Sequence, residues 1–177
     1  MTRPHLLMLA PLTAIAAACL PGCGHYTMES QYRPGIVTVF VPIWTRGKDV
    51  YRRDLEMRLT EAIQKRIELD TPYKIASKDR ADTELTGQIV RVGQQVLSKN
   101  PETGLPRDLE VTFTVSFIWK DLRTGKILVQ KDNLPIADTY ITHSPINEDF
   151  FEGSEGVINR VAMRVVEHME ADWSVGD

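Results

Sequence analysis

Few residues in this 177-residue chain are of types and spacings that could carry chemistry. The four histidines, His5, His25, His143 and His168, stand far apart, and none pairs with a cysteine or another histidine at metal-ligand spacing. His168 falls in the last turns of an expected helix, where the backbone dipole favours a cation, so a solvated or capping role accounts for it. Acidic pairs such as Glu148-Asp149, and Asp79 with Asp82, fit helix starts and turns. Gly153-Ser154-Glu155-Gly156 lacks the lysine and the preceding strand of a phosphate loop, and no Gly-x-Ser-x-Gly elbow or dinucleotide fingerprint occurs. An enzyme is therefore not expected, nor a bound metal or cofactor. The basic residues offer more. Arg91, Lys99, Arg107, Lys120, Arg123, Lys126 and Lys131 cluster loosely around an expected hairpin and loop. A solvated charged rim is the plain account. The sharper one is contact between Arg91, Lys99, Arg107, Lys120, Arg123 and Lys126 and an anionic lipid headgroup, because phosphates call for lysine and arginine.

The other reactive candidates are the two cysteines, Cys19 and Cys23. Met1 to His5 is short and carries one positive charge, and Leu6 to Leu20 is almost continuously apolar and rich in Leu and Ala. This is the pattern of a signal peptide and is too short for a comfortable membrane span. It runs into Leu20-Pro21-Gly22-Cys23-Gly24, which resembles the bacterial lipobox: Leu three residues before the cysteine, a small residue beside it. The expected chemistry is alkylation of the Cys23 thiol by a diacylglyceryl group, cleavage between Gly22 and Cys23, and acylation of the new amine. Cys19 is the poorer candidate, since Ala16 stands where the leucine should be. The competing readings are an uncut N-terminal anchor and a plain secretory signal. After cleavage the mature domain holds no free thiol and no disulfide, so it must fold on its core alone. Gly24 in place of Asp fits export to the outer membrane.

The rest of the chain must supply that core. Apolar residues make up 42% and charged residues 25%, a globular balance, and the net charge of −3 gives no reason to expect nucleic-acid binding. Residues 23–35 read as a lipidated tether and residues 36–175 as one domain. Ile36 to Val41 is a β-branched and aromatic run, so a strand, ended by Pro42. Tyr51 to Leu69 is an amphipathic helix with a stripe at Leu55, Leu59, Ala62, Ile63 and Ile67, and Asp49 as its cap. Tyr73 to Ser77 is a short strand. A longer one opens at Ala81 and runs to about Leu97, where Gly87 marks a bulge or a close approach. Ser98 to Asp108 is a loop. Glu110 to Lys120 alternates: Val111, Phe113, Val115, Phe117 and Trp119 share a face, with Thr112, Thr114, Ser116 and Lys120 opposite and only Ile118 breaking the pattern. A turn over 121–126 returns the chain as a strand over Ile127 to Lys131. Residues 132–147, with Pro135 and Pro145, read as a mostly irregular crossing. Asn147 to Asp172 is a second helix, regular from about Glu155, with Ile158, Val161, Ala162, Val165, Met169 and Trp173 as its stripe. The expected architecture is an α+β two-layer sandwich, both helices on one face of a mixed four- to five-stranded sheet.

In this order the segments resemble the LptE family of lipopolysaccharide-assembly lipoproteins. The resemblance rests on Gly22-Cys23-Gly24-His25-Tyr26, Ile36-Val37-Thr38-Val39-Phe40-Val41-Pro42, Leu55-Glu56 and Leu59-Thr60-Glu61-Ala62, Ala81-Asp82 with Leu85 and Gly87-Gln88-Ile89, and Trp119-Lys120-Asp121-Leu122-Arg123-Thr124-Gly125-Lys126. One stretch departs: Pro42-Ile43-Trp44-Thr45-Arg46 stands where family members often carry a Pro-x-Phe-x-Asn-x-Thr type of sequence. The resemblance implies a two-helix, four-stranded sandwich without enzymatic activity or cofactor. It implies a lipid-anchored protein on the periplasmic face of the outer membrane that plugs an LptD-type β-barrel, assists its folding and helps move lipopolysaccharide outward. The alternatives are a periplasmic lipoprotein adaptor of a secretion or envelope complex, and a lipid-anchored hydrolase in which His143 or His168 meets a carboxylate.

Overall fold

The structure, a computed structural model, describes residues 32–142 and 150–170. Gly22, Cys23, the signal segment, His25, His143 and Trp173 lie outside the described residues. The elements are β1 (Thr38–Phe40), β2 (Thr45–Arg46), α1 (Leu55–Asp70), β3 (Lys74–Ile75), a 3-10 turn (Lys78–Arg80), β4 (Thr83–Lys99), β5 (Pro106–Asp121), β6 (Ile127–Ile141), the single turn α2 (Phe150–Gly153) and α3 (Glu155–Glu167).

The sheet is mixed and has six strands in the order β3-β1-β4-β5-β6, with β2 also paired to β4. β1 pairs in parallel with β3 and β4, and β2 in parallel with β4. β4, β5 and β6 form an antiparallel meander. The β4–β5 ladder runs from Thr83 opposite Asp121 to Lys99 opposite Pro106. The alternation in β5 has its expected cause: Val111, Phe113, Val115, Phe117 and Trp119 are at most 1% exposed, while Thr112, Thr114, Ser116 and Ile118 between them are partly exposed. These five residues share one hydrophobic cluster with Leu55, Leu59, Ile63 and Ile67 of α1 and Val157, Ile158, Val161, Ala162 and Val165 of α3. Burying side chains of this size stabilises by roughly 1.5–3 kcal/mol each relative to exposure.

Several expectations are corrected. The sheet has six strands instead of four or five, because Thr45–Arg46 adds a strand too short to show any period. Residues 132–141 are not an irregular crossing, since β6 continues through Pro135 to Ile141. The strand tolerates proline there because β6 is the sheet edge, where an absent N–H can face away from the ladder. Asn133, at φ 52, sits in the bulge ahead of Pro135, and its N–H donates to the Ser116 hydroxyl at 2.9 Å. The loop between β4 and β5 covers only residues 100–105. α1 begins at Leu55, not Tyr51, and Asp49 does not cap it. Asp54, at φ 69, occupies the cap position in a left-handed conformation that a helix cannot continue through, and Tyr51 is 86% exposed. α3 ends at Glu167, although Met169 still packs into the core.

Gly87 marks a close approach. A Cβ there would stand 2.6 Å from ring atoms of Trp44, which is itself 2% exposed and stacks on Phe117 at 6.3 Å. The loop leading into β2 thereby seats an indole on β4.

Candidate functional site

The densest set of long-range polar contacts lies where the described chain begins. Val37 N–H, Thr38 N–H and the Thr38 hydroxyl all donate to one oxygen of Asp82, each at 3.0 Å. Asp82 N–H donates back to the Thr38 hydroxyl at 2.9 Å. The two backbone N–H groups hold the Asp82 carboxyl below its ordinary range, since they favour the charged form. Asp82 opens β4, so its carboxylate fixes the start of β1 against the strand it pairs with.

A second carboxylate works beside it. Asp121, at the end of β5, accepts from the N–H groups of Arg123 (2.7 Å) and Thr124 (3.1 Å), which closes the turn to β6. The Thr124 N–H is the main cause of its lowered pKa. That turn carries Gly125 at φ 74, a conformation glycine adopts freely. Held in this way, Arg123 reaches across to donate to the Gly35 carbonyl at 3.1 Å. The Leu122 N–H donates to the Asp82 carbonyl at 2.9 Å, tying the two carboxylate centres together.

Just upstream, the Tyr32 hydroxyl donates to the Asp70 carbonyl at the end of α1, at 2.6 Å. Arg33 N–H donates to the Tyr73 hydroxyl at 3.0 Å, and its guanidinium lies 5.9 Å from the Trp119 ring centre. Burial pushes the Tyr73 hydroxyl pKa up, so it stays protonated at neutral pH. Residues 32–38 are thus clamped by α1, β4, the strand around Tyr73 and the β5–β6 turn. The arrangement contains no nucleophile–base pair. It is a mechanical junction, and no group of three or more possible metal ligands occurs among the described residues.

The six cations singled out in the sequence do not form one patch. Lys120, Arg123 and Lys126 gather at the β5–β6 turn, beside the clamp. Lys99 and Arg107 stand at the other end, by the β4–β5 loop, and Arg91 lies between, in the bulged middle of β4. The 17 residues of β4 set the two ends about 50 Å apart at ~3.3 Å per residue. All six are exposed. His168 lies just beyond α3, its ring 6.1 Å from that of Phe117. Sequence reasoning missed the two organising carboxylates. Asp82 was read only as a turn acid beside Asp79 and as part of Ala81-Asp82, and its partner lies 44 residues away. Asp121 was hidden in a turn whose Asp-x-x-Thr-Gly spacing does signal a side chain bonding to the backbone ahead of it.

Where the chain departs from the family's usual stretch, Ile43 is 63% exposed. It borders a groove of about 460 Å³ shared with Thr86, Gln88, Ser116 and Ile118 on the sheet.

Fold and junction together define a class: an α+β domain with two main helices on a mixed sheet, its N-terminal strand clamped at one end. The chain belongs to the LptE lipopolysaccharide-assembly family, which it matches over residues 36–171. Membership places it among lipopolysaccharide-assembly lipoproteins. No curated protein matches the chain. Among solved structures it is similar to the hypothetical protein CT253 from Chlamydia trachomatis, with a TM-score of 0.51 and 9% identity over 76% of this chain and 98% of that one. It is also similar to lipoprotein B from Nitrosomonas europaea (TM-score 0.48, 16% identity, 85% and 92% covered) and rare lipoprotein B from Shewanella oneidensis (TM-score 0.44, 18% identity, 75% and 92% covered).

Proposed function

We propose that the chain is an outer-membrane lipoprotein, cut between Gly22 and Cys23 and anchored by acyl chains on Cys23. Its domain, a two-layer sandwich, binds an LptD-type β-barrel translocon on the periplasmic side and assists lipopolysaccharide transport and assembly, without catalysing a reaction. The family match over residues 36–171 carries this reading. The lipobox and the Gly24 that follows it support the anchor and its destination. Arg91, Lys99, Arg107, Lys120, Arg123 and Lys126 are the proposed headgroup contacts, three at the β5–β6 turn, two beside the β4–β5 loop and Arg91 between.

The test is purification of the tagged chain from detergent-solubilised outer membrane, with mass spectrometry of what accompanies it. A β-barrel protein and lipopolysaccharide should co-elute in stoichiometric amounts. Recovery of the chain with a soluble secretion component and no barrel would instead identify an adaptor.

A further inference from the structure

The clamp places residues 32–38 at one end of the sheet, and that end carries a rim of cations. Lys74 lies on β3, where its N–H donates to the Val37 carbonyl at 2.9 Å. The Arg80 carbonyl accepts from the Thr38 hydroxyl at 3.2 Å. Arg123 bonds the Gly35 carbonyl directly, between Lys120 and Lys126. With Lys78, six exposed cations therefore surround residues 35–38. The acids around them are Asp79, Asp82, Glu84 and Asp121, and Asp70 and Glu170 lie beyond, beside Tyr32, with Asp70 paired to Arg66. Asp82 and Asp121 direct oxygens at backbone N–H groups, Asp121 also lies 3.9 Å from the Arg123 guanidinium, and Glu84 lies 3.9 Å from Lys78. The solvent-facing balance is positive in a chain whose net charge is −3. Val37 and Ile127, 61% and 49% exposed, add apolar surface to the same end.

We propose that this end of the domain docks on the anionic phospholipid leaflet in which the Cys23 acyl chains sit. The inference rests on the reading of Cys23 as the anchor and deepens it by naming the protein surface that meets the membrane. The occupant follows from the length of chain before the clamp. Nine residue steps separate Cys23 from Tyr32, a span of at most ~30 Å, so the clamped end stays near the leaflet. The charge follows too, because lipid phosphates attract lysine and arginine within a Debye length. A basic patch combined with acyl chains is the two-signal arrangement that makes anchoring stable. Arg123 serves both purposes: it holds the Gly35 backbone and presents its charge at the docking face. The β4–β5 loop, with Lys99 and Arg107, is held on the far side, away from that leaflet.

The experiment uses the mature chain with Cys23→Ser, so that acyl insertion does not mask weaker docking, and sedimentation with phosphatidylcholine vesicles with and without phosphatidylglycerol. Binding should require phosphatidylglycerol and weaken with salt. The triple variant K74A/K120A/K126A, whose side chains hold no hydrogen bond or ion pair among the described residues, should bind about a hundredfold more weakly, at ~1 kcal/mol per cation. The far-end pair K99A/R107A should bind as the parent does. Equal loss in both variants, or binding that ignores phosphatidylglycerol, overturns the proposal. Co-purification of the acylated parent with a barrel is read separately, so failure of docking and failure of the assembly role are told apart.

Discussion

At the scale of single residues, Asp82 does the most for the least sequence signal. One carboxylate oxygen takes three hydrogen bonds from Val37 and Thr38. Its folded pKa is lowered, so its contribution to stability is complete above the unfolded carboxyl value of about 3.9 and is lost as pH falls towards the folded value. Asp121 adds to the same acid-side loss. The D82N variant should therefore be less stable than the parent at neutral pH and should lose less on acidification below about pH 4. Thermal melts taken from pH 7 downward give both numbers, and parallel curves for the two proteins would refute this account of Asp82. None of this was legible beforehand, because an aspartate beside an alanine looks like any turn acid until its partner, 44 residues away, is in place.

Elements were legible in proportion to the length of their periods. The five-residue apolar face of β5 and the stripe of α1 were readable because each repeats over several turns or pleats and each is buried. β2 was not, since two residues carry no period, and β6 was cut short because Pro135 looks like a breaker unless the strand is known to lie at an edge. Gly87 was read as either a bulge or a close approach, and the structure shows the close approach, with Trp44 as the partner. The Trp44 ring fills the space its side chain would need, and it seats the β1–β2 connection on the sheet. G87A should accordingly cost about 1–3 kcal/mol through overpacking against a buried ring. Denaturant unfolding measures it. A companion G104A, where nothing lies within 4 Å of the added atom, shows the cost of a positive φ alone, 69° in that loop.

For the whole molecule, the proposed function divides the labour between an anchor at Cys23 and the folded body. The body has no disulfide to lose on Cys23→Ser, so that variant should melt as the parent does while leaving the membrane fraction in cells that lack the barrel partner. Each acyl methylene removed from the bilayer costs ~0.8 kcal/mol, far more in total than a cationic rim supplies. Fractionation checks the outcome, and full membrane retention without the barrel would show that Cys23 is not the anchor. The lipobox-like pattern at Cys23 and the six cations were visible in the sequence. Their distribution was not, because it depends on β4 and β5 pairing over nearly their whole length, which puts Lys99 and Arg107 at one end, Lys120, Arg123 and Lys126 at the other, and Arg91 between.

That long ladder also bears on how the chain reaches its native state. β4 and β5 are neighbours in sequence, so their pairing can begin at the short loop over residues 100–105 and extend outward with little loop-closure entropy. The bonds from Asp82 to Val37 and Thr38 close a loop of more than 40 residues and must form against a strand already in place. The segment over residues 32–38 should therefore be the last to lock. Substitutions in the middle of β5 are expected to slow folding, and Thr38→Ala to speed unfolding while leaving the folding rate nearly unchanged. Stopped-flow kinetics would resolve the two. A chain that folds in this order leaves its N-terminal segment accessible to modifying enzymes until the body behind it is nearly complete.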